Sequence, residues 1–273
     1  MSCIFRIFAL CACNVTILGL CCYGHGQDSP RSPDSARADA LARLRAANSL
    51  QMMALAMLNY EAEYNQFPPI DGSSDAKVPK LAGFSWRAYL LPRMDTDTNP
   101  IREGQVYQSI LAGKYPLGEK VKESESWNRP GLKSIPLQPF LSPKENKDRE
   151  AWLTYYRVFV GNGAAFEAKQ RLTSKDFPDG SMNTILIVEA GESVPWPKPE
   201  ELTYDPAKPL PKLGGLFPDG FYAAFADGAV RFIRNGTDER LIRAMITRNG
   251  GEKIATLPPK VNTRALRKAA GLK

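Results

Sequence analysis

A stretch of some 30 residues, from Asp34 to about Tyr64, constrains the fold more than any other part of the chain. It is rich in Ala, Leu and Met and almost free of β-branched residues, a composition that favours the α-helix. Asp34 or Ser35 can cap its start, and Phe67-Pro68-Pro69 stops it, because proline lacks the donor a helix needs. Leu44, Ala47, Gln51, Ala54, Leu55, Leu58 and Ala62 recur at helical spacing, with Leu41, Leu50 and Met52 widening the stripe. A helix of that length is a rod of about 45 Å. Such a rod is long for a small domain, and it requires a partner layer for its apolar side.

The remaining segments supply that layer. Trp152 to Val160 reads as a strand, as does the buried-type run Asn183 to Ala190. Phe221 to Ile233 reads as a hairpin around Asp227-Gly228, a pair suited to a type I′ turn. Short helices are expected over Ser85–Met94 and Gln105–Leu111. A final helix is expected over Asp238–Arg248, with Thr237 as its cap and Gly250 beyond its end. Strands and helices without strict alternation imply an α+β fold with an antiparallel sheet and loop-rich insertions.

Charge and cysteine placement divide the chain into segments. Six of the basic residues behind the formal net charge of +7 lie between Lys253 and Lys273, where there is no acid. A nearly neutral body with a basic tail is not a nucleic-acid groove, so no nucleic-acid partner is implied. The tail reads as a solvated end or as an attraction for an anionic surface. All five cysteines (Cys3, Cys11, Cys13, Cys21 and Cys22) precede residue 23, which leaves the body without a disulfide framework. Residues 1–26, with Arg6 ahead of an apolar stretch from Ile7 to Tyr23, read as an export leader. Leu18-Gly19-Leu20-Cys21 has the form of a lipobox, which makes Cys21 the candidate for lipidation and Cys22 the alternative. An uncleaved anchor and an ordinary cleaved signal remain open. Residues 27–35 read as a linker, 36–252 as the folded domain and 253–273 as the tail.

Catalytic signatures are few. His25 is the sole histidine and falls in the leader, so a Ser-His-Asp or Cys-His engine has no imidazole in the body. No phosphate-cradling glycine motif occurs, and no cofactor is implied. Glu189 and Glu192 flank a strand end and are the carboxylates available to a hydrolase. Asp179, Ser181 and Asn183 place oxygen-bearing side chains at alternate positions, as a calcium loop does, although a turn explains them equally. The Pro-rich stretch from Val194 to Pro211 carries Trp196 and Tyr204. It is either an interaction arm or a lid folded over the body, with a ligand cleft beneath it as a further expectation.

The blocks NSLQMMALAMLNYEAEYNQFPP, SWRAYLLPRM, PLQPFLSP, DGSMNTILIVEAGESVPWPKPEELTYDP, LGGL, FADGAVRF and IRAMITRNGGE run in order over residues 48–252. In these blocks the chain resembles a large family of exported bacterial proteins of unknown function, domain of unknown function 1559. That family is likened to type II secretion pseudopilins, also carries a solute-binding-protein-like label, and ends in an H-x9-DG domain. The resemblance implies a pilin-like fold, and two departures qualify it. The pilin-type leader is replaced by the Cys-rich one, and Phe217 stands where the motif histidine would be, ten residues before Asp227. The reading that results is a non-catalytic protein exported to the cell envelope and acting in surface assembly or protein interaction. Its expected partners are envelope proteins or cell-wall polymer, with the membrane reached through the leader or a lipid. An extracytoplasmic solute- or glycan-binding module is the alternative, and a carboxylate-dependent hydrolase a third.

Overall fold

The computed structural model describes residues 32–72, 81, 83–94, 107–108, 110, 127–128, 137–144 and 152–272. The leader with Cys21, Cys22 and His25, and the linker up to residue 31, lie outside the described residues. Most of the helix expected over 105–111 does too.

Helix α1 spans Pro33–Tyr64. It starts earlier than expected because Ser32, not Asp34 or Ser35, is the cap: its Oγ accepts from Ser35 N at 3.2 Å, and Pro33 occupies the first turn. Asn65 ends it in the left-handed region, donating its N–H to Glu61 O at 2.7 Å. The inward face differs from the expected stripe. Leu44, Ala47, Leu50, Met53, Ala54, Met57 and Tyr60 are buried, whereas Gln51 and Ala62 are exposed and Leu55 is 49% exposed. In an Ala-rich helix apolar residues surround the axis, so spacing alone does not select the face. Alanines at 46, 47, 54 and 56 are buried because they let neighbouring elements approach the backbone closely.

Four strands form an antiparallel sheet in the order β1 (Leu153–Arg157), β3 (Ile185–Pro195), β5 (Gly220–Phe225) and β6 (Val230–Arg234). Strand β2 (Phe159–Val160) pairs in parallel with β4 (Leu202–Thr203) as a separate two-stranded sheet. Alternation along β5 sends Tyr222 and Ala224 into the core shared with α1. Phe221, Ala223 and Phe225 enter a second core, closed by Met245 and Ile246. These last residues belong to α3 (Glu239–Ile246), so the sheet is covered on both faces. Double coverage explains why Ile185–Val188 is a continuous apolar run. The fold is therefore α+β, with a long N-terminal helix on an antiparallel sheet.

Several boundaries move for local reasons. The expected strand over 152–160 splits into β1 and β2 at Val158, whose N–H is taken by Glu201 Oε2 at 2.9 Å. Asp238, not Thr237, caps α3 through Arg240 N. The hairpin turn is not type I′. Only Gly228 has positive φ, at 78°, and Phe225 O accepts from Gly228 N at 2.9 Å, so the connection is a three-residue loop with one left-handed position. At Gly220, where β5 begins, a Cβ would lie 2.1 Å from Ile233 O, which excludes any side chain there.

The basic tail is docked on the body with most of its side chains in solvent. Val261 N donates to Val230 O at 2.9 Å beside β6, and helix α4 (Thr263–Ala269) then lies against α1. Arg37 Nε donates to Ala270 O at 3.0 Å, and Ala270 is buried. Helix α2 (Trp86–Leu90) completes the packing around α1. Among the described residues, no helix is long and apolar enough to cross a membrane.

Candidate functional site

Glu189 sits where the sheet forks. Strand β3 continues to Pro195 after β5 has diverged, and the segment around Leu213 takes the vacated edge: Gly191 N donates to Lys212 O at 2.7 Å and Gly214 N to Glu189 O at 2.9 Å. The divergence leaves Tyr222 N in need of an acceptor, and Glu189 Oε2 supplies it at 2.9 Å. Glu189 is fully buried, and its Oε1 has no hydrogen-bond partner. Burial pushes its pKa up to about 8, against the opposing pull of the Tyr222 N–H and the charges of Arg43 and Lys144. The burial thus favours its protonated form over the carboxylate near neutral pH. Glu192, three residues on, is exposed. Glu192 lies in the irregular stretch of β3 between Glu189 and Val194, so one of the two carboxylates is buried and the other faces solvent.

Phe217, at the motif histidine's position, is buried close to this fork. Its ring meets Tyr222 edge-on at 5.3 Å. Arg43 lies over it at 4.8 Å and Lys144 at 5.1 Å. Arg43 is held by Asp39 at 2.7 Å and Asp219 at 2.6 Å. An aromatic face attracts both cations, and no proton transfer is available to it.

The second buried carboxylate, Glu201, was not legible in the sequence. Its Oε1 accepts from Arg87 Nη1 at 3.1 Å and from Trp86 Nε1 at 2.9 Å. Arg87 is itself fully buried, and its Nε and Nη2 both donate to Tyr156 O. Desolvation pushes the Arg87 pKa down and the Glu201 pKa up, and each charge draws the other back. The pair ties α2 to β1 and to the Pro-rich segment, a structural role rather than a reactive one.

This packing corrects the interaction-arm reading. Trp196 is fully buried and stacks on Phe140 at 5.4 Å with the rings 17° apart, and Tyr204 is 3% exposed, edge-on to Phe159. The cleft expected beneath the arm is filled by Phe140 and Arg87, since burying two large aromatic rings outweighs holding a Pro-rich strand in water. Asp179, Ser181 and Asn183 form a turn. Asp179 receives Gly251 N on both carboxylate oxygens at 3.1 Å, and Asn183 Nδ2 donates to Asp179 O at 2.7 Å. Among the described residues, no group of three or more His, Cys, Asp or Glu side chains is arranged to hold a metal ion.

Two surface clefts share Gln51 and Leu55 on the outer face of α1. One, of about 330 Å³, is bounded by the Asp227-Gly228 turn and Lys260. The other, of about 400 Å³, is bounded by Asn48, Met52, Asn59 and Arg93. A smaller one of about 40 Å³ lies between Gln66–Asp71 and Phe166–Leu172.

The molecule is thus an α+β head built around one long helix, with its strongest charge constellations committed to the core. Residues 35–101, which take in most of α1 and all of α2, match the family model described as a protein of unknown function (DUF1559), the family its sequence blocks resemble. No curated protein and no solved structure matches the chain.

Proposed function

We propose that this chain is a non-catalytic, exported cell-envelope protein whose pilin-like head acts through protein contact, with the outer face of α1 as the contact surface. The observation that carries this reading is Leu55, 49% exposed between two clefts on a helix whose opposite face is fully packed. Met52 and Leu58, both partly buried, flank it. Amide side chains at Asn48, Gln51 and Asn59 surround this apolar centre, the composition expected of a contact made and broken in water. The Cys-rich leader supplies the address, and a lipid on Cys21 or Cys22 supplies the tether.

Native electrophoresis of gently solubilised envelopes tests the reading. The 30.2 kDa chain is expected in the envelope fraction within a larger complex, and Leu55→Glu is expected to release it as the single chain without changing its melting temperature. A single chain in the native sample, or a complex unaffected by Leu55→Glu, contradicts the proposal.

A further inference from the structure

We infer that the solvent face of α4, together with Arg37 of α1, is a basic surface that lies against anionic lipid headgroups. The inference rests on the reading that residues 1–26 hold the chain at a membrane. Helix α4 runs back along the first half of α1. Thr263 borders the same cleft as Ala47 and Gln51, whereas Ala270 O, just past the end of α4, takes the Nε–H of Arg37 at 3.0 Å. The far end of α4 is therefore brought beside the first turns of α1, where the chain departs toward the leader. Arg37, Arg264 and Lys268 are all exposed. No acidic residue occurs between Lys253 and Lys273; of the acids in the first two turns of α1, Asp39 is held by Arg43 at 2.7 Å and Asp34 is exposed, one negative charge against the three cations.

Distances decide which part of the head the membrane feels. Nine residues separate Tyr23, where the apolar stretch ends, from the start of α1 at Pro33, a reach of at most roughly 30 Å. The other end of α1, carrying Glu61 and Glu63, lies about 48 Å further along the helix axis. Exposed charges act over only about 8 Å at physiological salt. The tether thus presents the basic end first and keeps the acidic end out of range, which orients the head. Each Lys or Arg brought to an anionic surface strengthens association by about fivefold.

The test uses the full chain, synthesised in the presence of vesicles of phosphatidylcholine alone or with about one third phosphatidylglycerol, and a photoreactive residue at the exposed position Ala265. The expected result is lipid adducts at position 265 on the phosphatidylglycerol vesicles, at least about tenfold above those on phosphatidylcholine. The excess should be abolished by about 0.5 M salt and by R264E/K268E at an unchanged melting temperature. The same photoreactive residue at Asn59 should give none. Equal adducts on both vesicles, or an excess that survives R264E/K268E, overturns the inference. Flotation of the same samples on phosphatidylcholine reads the leader separately: a chain that floats only with phosphatidylglycerol keeps the basic surface and removes the anchor.

Discussion

Glu201 and Glu189 are both buried carboxylates, and they have opposite fates. Glu201 meets a guanidinium, an indole N–H and a backbone N–H, so both oxygens are occupied and its charge has a counter-charge at 3.1 Å. Glu189 meets a single backbone N–H, and its other oxygen has no partner. The first carboxylate has a cationic partner in hydrogen-bond contact, and the second has none. Burial alone therefore does not determine ionisation; the number and charge of the donors that come with it do. Each carboxylate accepts a backbone N–H of a strand or its flank, Val158 N for Glu201 and Tyr222 N for Glu189.

The comparison can be broken most forcibly at Arg87. Arg87→Met leaves Glu201 buried without its counter-charge and is expected to cost about 3–5 kcal/mol in urea unfolding. Adding Glu201→Leu should restore much of that loss. A single variant as stable as the parent would show that the pair carries no strain of charge.

The next effect is a pH dependence at Glu189. Its folded pKa is raised above the unfolded value, so the stability tied to its proton is fully present below pH 4.5 and is lost as pH rises through about 8. Within that window the loss accrues at about 1.4 kcal/mol per pH unit. Glu189→Gln keeps an acceptor for Tyr222 N but cannot ionise, so its stability relative to the parent should rise between pH 5 and pH 9. A constant difference across that range would place the charge elsewhere.

Trp86→Phe removes one donor from Glu201 and should cost about 2 kcal/mol, with no change in the pH dependence attributed to Glu189. Phe217→Leu removes the ring facing Arg43 and Lys144 and should cost about 1 kcal/mol, the smallest effect in the series. Chemical denaturation at pH 7 reads both.

The sequence carried the fold further than the sites. The long helix, the hairpin, the strand at Ile185 and the last α+β helix are local patterns, and each is present near its expected place. The packed face of α1 was partly legible: Leu44, Ala47, Leu50 and Ala54 of the expected stripe are buried, whereas Ala46 and Ala56 give a weaker apolar signal than the half-exposed Leu55 although they are buried. Trp196 and Tyr204 left both a lid and an exposed arm open, since proline spacing reports stiffness and not what lies beneath. The Arg87–Glu201 pair joins residues 114 apart, and no short-range pattern records such a contact. Glu189 was visible as a carboxylate in a strand, but its isolation depends on the fork made by the Leu213 segment, which is a tertiary event. The same holds for the tail: its charges were plain, and its docking on α1 was not.

The most direct test of the account follows the glutamate side-chain carboxyl carbons by NMR between pH 4 and pH 10, with Glu189→Gln assigning the resonance. The account predicts that the Glu189 signal moves with a midpoint near pH 8. A Glu189 signal that titrates in the ordinary carboxylate range would contradict it, and would mean that Oε1 is solvated or paired in solution.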